Sequence, residues 1–187
     1  KRPPNQQSLN LARAIDVRLM RFGNEPHFSM RSLIDAFNAQ FIRLHERSVG
    51  FVREIDSGNL FLRPAGIASE LTVVTIGENI LRSAAMVELA FGGITTRLWD
   101  DPFEWTLPEA LSTGDKIIEY LNEVEATRQL GFGYFPEDTA LARTIPAPRE
   151  LRTIASIMLD TVAKAENYQG RAFSIYQMIQ GGKLPRL

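Results

Sequence analysis

The chain of 187 residues contains no cysteine. That absence removes disulfides, thiolate nucleophiles and cysteine-ligated zinc together. It fits a reducing compartment, so a cytoplasmic location is the expectation. Histidine is nearly as scarce: only His27 and His45 are present, well separated and in no metal-ligand spacing. His27 reads as exposed ahead of a helix start, and His45 as lightly packed on a helix surface. No apolar run approaches the roughly 20 residues that span a bilayer, so no membrane segment is expected. With 21 basic and 22 acidic residues the net charge is −1, and no Lys/Arg block stands out. Nucleic acid therefore has no electrostatic footprint to follow. There is no phosphate-binding glycine loop, nucleophile elbow or His-Glu-x-x-His. Gly131-Phe132-Gly133-Tyr134 follows a helical stretch, not a strand, and reads as a turn. No internal repeat and no convincing strand alternation are found.

What is present is ordinary globular material, 44% hydrophobic and 23% charged, enough for one domain with a sizeable core. Residues 1–28 read as an N-terminal extension with a short helix over Ser8–Phe22, and 29–187 as the main body. Ser29 suits a helix N-cap. Met30, Leu33, Phe37, Phe41, Leu44, Phe51 and Ile55 then mark a long helix to about Glu54. Asp56–Asn59 reads as a turn. A second long helix is expected from about Ser69 to Phe91, stopped by Gly92-Gly93. It carries two apolar stripes, one through Val73, Ile76, Ile80, Ala84, Val87 and Phe91, the other through Leu71, Val74, Leu81, Ala85 and Leu89. Such a helix belongs in the centre of a fold. A loop over Ile94–Ser112 holds both tryptophans, Trp99 and Trp105, and is expected to cover the helices, the alternatives being to line a ligand pocket or a subunit interface. Ser112 with Asp115 marks the next helix start, which runs to about Leu130-Gly131. The last helix is expected over Leu151–Ile179, with Ile154, Met158, Ala165, Tyr168, Ala172 and Ile175 in register. These elements predict an all-α fold, an up-and-down type four-helix bundle with an extra N-terminal helix.

Several local signatures add a resemblance. They are Leu60-Phe61-Leu62-Arg63-Pro64, the segment from Leu71 to Arg82, the stretch Lys164-Ala165-Glu166-Asn167-Tyr168-Gln169-Gly170-Arg171, and the ending Gly181-Gly182-Lys183-Leu184-Pro185. In order and spacing this resembles the DinB/YfiT-like superfamily of metalloenzymes over roughly Ser29–Leu187. The resemblance implies a three-histidine metal site, with one ligand on the second helix and a His-x-x-x-His pair on the fourth. It also implies a homodimer, and in some members metal-dependent transfer of low-molecular-weight thiols. Here the three ligand positions fall on Asn79, Lys164 and Tyr168; a one-residue shift selects Glu78, Ala163 and Asn167. An amide, an ammonium and a phenol are poor substitutes for imidazole toward zinc or nickel.

The expected ligand-binding set is therefore Glu78, Asn79, Arg82, Lys164 and Tyr168, with no metal and no cofactor. Glu78 shares a face with Leu71, Val74, Leu81 and Ala85 and is expected to be partly buried, paired with Arg82 one turn away or with Lys164. Tyr168 falls on the apolar stripe and reads as a core tyrosine with its hydroxyl hydrogen-bonded; the alternative is that Asn79 and Tyr168 form a polar pair lining a cavity. Three functions compete. The favoured one is a bundle that has lost the family metal site and binds a small molecule. The second is a thiol transferase or hydrolase-like enzyme with an altered zinc or nickel site, using Glu78, Asn79 and Glu166 or Asn167. The third is a structural or interaction module.

Overall fold

A computed structural model describes residues 30–65, 75–105, 111–181 and 184. The chain divides into two units, Lys1–Met30 and Arg31–Leu187, and the described helices and strands belong to the second. The expected N-terminal helix, the Ser29 cap and residues 69–74 lie outside the described residues.

Helices account for most of the described residues: α1 (Ser32–Glu54), α2 (Ser57–Leu60), α3 (Ile76–Thr96), α4 (Pro102–Trp105), α5 (Gly114–Phe132) and α6 (Ile154–Gln180). Among the described residues no helix is long and apolar enough to cross a membrane. α3 packs against both α6 and α5, and α1 against α5 and α6. The double apolar patterning of α3 is the cause: Ile80, Ala84, Val87 and Phe91 are buried, and so are Leu81 and Ala85 on the other stripe. Across the α3–α6 contact Ser83 Oγ donates to the Ala165 carbonyl at 3.0 Å. At one end Phe41, Phe91 and Phe132 pack edge-on or tilted, with ring centroids 5.4–5.9 Å apart. Such aromatic contacts add roughly 0.5–1.5 kcal/mol each beyond area burial.

Helix ends explain the boundaries. Asp138 caps α1 from a distant 3-10 turn (Asp138–Ala142), its carboxylate accepting from the amides of Leu33 and Ile34, both at 3.0 Å, and from Ser32 Oγ at 3.2 Å. A carboxylate there satisfies orphan amides and meets the positive end of the helix dipole. Burial pushes its pKa up, but these hydrogen bonds outweigh that and hold it below the ordinary carboxylate value.

Four expectations need correction. First, α3 does not stop at Gly92-Gly93 but continues to Thr96 and ends on Arg97 in the left-handed region, φ 65°. The glycines are accommodated within the helix because neighbouring groups crowd their surface. Second, Asp56–Asn59 is not a free turn: Asp56 caps the four-residue helix α2 by accepting from the Gly58 amide. Third, α5 starts at Gly114 on a Thr113 cap, not at Ser112, and runs to Phe132. Fourth, Leu151–Thr153 is not helical. It forms strand β2, antiparallel to β1 (Thr144–Pro146), with Ile145 opposite Arg152. Thr153 then caps α6 by accepting from the Ser156 amide, and Gly181 closes it at φ 61°.

Candidate functional site

A cleft of about 450 Å³ lies between α3, α6 and the β1–β2 hairpin. Its size falls within the range of small-molecule sites. The apolar wall comes from Met86, Leu89 and Ala90 on α3 and Ile157 on α6. Trp99 stands at one side, its indole N–H donating to the Pro146 carbonyl at 3.1 Å. That bond ties the segment after α3 to the hairpin. The turn of the hairpin is closed by the Ala147 amide donating to the Glu150 carbonyl at 3.0 Å. It brings Arg149 and Glu150 to the cleft, and β2 and α6 add Arg152, Asp160 and Lys164.

The charged groups on the rim are interlocked. Asp160 Oδ2 accepts from Lys164 Nζ at 2.8 Å and from Arg152 Nη1 at 3.3 Å. Arg152 also donates to the Ser156 carbonyl. The Lys164 hydrogen bond, helped by Arg152, holds the Asp160 carboxyl below its ordinary range. Asp160 is thus ionised at neutral pH and shared by two cations.

Of the five residues singled out from the sequence, Glu78, Asn79 and Arg82 lie in the first two turns of α3, and Lys164 and Tyr168 on α6. Glu78 completes a capping box: Thr75 Oγ1 accepts from the Glu78 amide, and the Glu78 carboxylate accepts from the Thr75 amide at 2.9 Å and from its hydroxyl at 2.8 Å. The signal for this, Thr75-x-x-Glu78, was present in the sequence. Asn79 is fully buried and donates from Nδ2 to the Thr75 carbonyl at 2.8 Å. Arg82 pairs with Asp101 at 3.0 Å and lies over the Phe103 ring. Tyr168 is half-buried, with the Arg171 guanidinium over its ring. Of the five, Lys164 alone lines the cleft. An amide engaged at a helix start, an ammonium bound to a carboxylate and a phenol beside a guanidinium do not fit a divalent metal. Among the described residues no three His, Asp or Glu side chains are grouped to hold one.

Sequence reasoning missed three polar clusters. Arg128 is buried, donating from Nε and Nη2 to the Glu125 carboxylate and from Nη1 to Asn38 Oδ1, with its guanidinium over Phe132. Burial raises the Glu125 pKa, but Arg128 and Gln129 donate to the carboxylate and leave it below its ordinary value. Gln169, also buried, donates to the Leu44 carbonyl and Ser48 Oγ, both at 2.7 Å, and accepts from Arg47, which also binds Glu166. Tyr120 donates to Glu88 at 2.6 Å; burial first, then Glu88, pushes its pKa far above the phenol value. The spacing Glu125-x-x-Arg128 was visible as a helical pair. Nothing in the sequence marked it as buried.

The chain matches no protein-family model, no curated protein and no solved structure.

Proposed function

We propose that this chain is a small-molecule-binding helical bundle and that the cleft beside Trp99 is its binding site. In this reading α1, α3, α5 and α6 are the four members of an up-and-down bundle of DinB/YfiT-like type. The metal-ligand positions of that family have been given over to other chemistry, and the protein assembles as a homodimer. The observation that carries the reading is the cleft itself, with an apolar wall of Met86, Leu89 and Ile157 and a charged rim of Arg152, Asp160 and Lys164. Apolar lining with a few placed polar groups is the usual make-up of a ligand pocket. The donor chemistry of Asn79, Lys164 and Tyr168 speaks against the zinc or nickel alternative.

The test is a thermal-shift screen of a small-molecule library against the wild-type chain and Met86→Trp, a substitution that fills the cleft. Ligands that raise the melting temperature of the wild type and not of the variant support the reading, since stabilisation follows RT ln(1 + [L]/Kd). Equal shifts in both proteins, or a shift with zinc or nickel alone, would reject it.

A further inference from the structure

The charges of the cleft rim are unequal. Three basic side chains, Arg149, Arg152 and Lys164, face two acidic ones, Glu150 and Asp160, leaving one positive charge in excess. The distribution is also uneven. Arg152 and Lys164 converge on the same oxygen, Asp160 Oδ2, so one carboxylate serves two cations. Arg149 and Glu150 are both exposed on the hairpin turn. Beneath this rim the wall is apolar, and the Trp99 ring supplies a flat surface at its side.

We propose that the cleft takes a small organic anion with an apolar body, its hydrocarbon part against Met86, Leu89, Ile157 and Trp99, its acidic group among Lys164, Arg152 and Arg149. This rests on the reading of the cleft as the binding site and adds the class of ligand. A carboxylate or sulfonate arriving at the rim takes up the donor capacity that Asp160 leaves on Lys164, an ammonium with three donors. Charge-assisted hydrogen bonds of this kind are roughly twice as strong as neutral ones. An ammonium ligand would meet two or three cations before reaching the single shared carboxylate. A neutral ligand would gain the apolar wall alone.

The experiment compares three probes with one body and different charge: 2-naphthoate, naphthalene-2-methanol and 2-naphthylmethylammonium. Each is titrated by calorimetry into the wild-type chain, Arg149→Glu, Lys164→Gln and the cleft-filling Met86→Trp. Naphthoate is expected to bind at least fivefold tighter than the alcohol and the ammonium weakest. Arg149→Glu, on an exposed turn, is expected to abolish that preference. Equal affinity for all three probes, lost in Met86→Trp, would overturn the anion assignment and leave the cleft as the site. Binding of naphthoate that Met86→Trp does not affect would overturn both. So would the absence of binding by any probe.

Discussion

The Trp99 ring occupies the space where a side chain on Gly93 would stand: a Cβ built at position 93 overlaps the fused carbons of the indole. The glycine lies inside α3, and its hydrogen side chain lets the loop fold back onto the helix. The same indole walls the cleft and holds the hairpin through Pro146. Gly93→Ala is therefore expected to displace Trp99 and loosen the hairpin. Overpacking of this kind costs about 1–3 kcal/mol. In a Trp105→Phe background, so that Trp99 is the sole tryptophan, its emission should shift on the Gly93→Ala change, with weaker ligand binding. Unchanged emission and affinity would reject the role given to this contact.

Arg128 and Glu125 form a pair whose members cannot be removed singly without leaving a charge behind. Arg128 is 2% exposed and its partner side chain 12%. Arg128→Met is expected to cost about 3–5 kcal/mol, as breaking a buried pair does. The double variant Arg128→Met/Glu125→Leu should recover much of that loss. Urea unfolding of the four proteins of the cycle measures it, and additive effects would show that the two charges do not compensate each other.

Gln169 stands on α6 and is fully buried. In the fold its amide joins α6 to α1 through the Leu44 carbonyl and Ser48. Gln169→Leu leaves those acceptors unsatisfied and is expected to destabilise by about 1–3 kcal/mol. A stability equal to wild type in chemical denaturation would show that water replaces the amide without loss.

Acid should weaken the cap of α1. The folded pKa of Asp138 lies below its ordinary value. Its contribution is therefore complete above the unfolded value, near 4. It is lost as pH falls from there through the lower folded value, because the unfolded chain binds the proton first. Asp138→Asn should lower the melting temperature at pH 7 and flatten its decline in acid. Melting curves between pH 7 and pH 2 test this; an unchanged acid slope would assign the sensitivity elsewhere, with Asp160 the next group to examine.

The long helices were legible because their apolar residues repeat with helical period over many turns, as Ile154, Met158, Ala165 and Ala172 show. The double-sided burial of α3 was legible for the same reason. What escaped was decided by contacts distant in sequence. Gly92-Gly93 is a good local stop, but packing overrides it, since Trp99 needs the bare backbone there. The hairpin strands are three residues each, too short for alternation to register. Of the residues that line the cleft, Lys164 was singled out from the sequence and the loop carrying Trp99 was open to a pocket-lining role, while Arg149 and Arg152 carried no signal. Arg149, Arg152 and Trp99 come together only when the hairpin folds against α3 and α6. At the start of α3, Glu78 completes the capping box and Asn79 donates to the Thr75 carbonyl.

The hairpin that walls the cleft is anchored in the helical core by Ile145 of β1, while Pro148, Arg149 and Glu150 of its turn are exposed. Its turn is closed by the Ala147–Glu150 backbone hydrogen bond, and among the described residues its strands pair with each other. Residues 147–150 can thus change in sequence without altering the packing of α3 on α6. A frame of this kind separates selectivity from stability: one set of helices supports many versions of the turn. Exchanging Ala147-Pro148-Arg149-Glu150 for other four-residue turns offers a route to redirect what the cleft admits, with the melting temperature as a check that the frame is untouched.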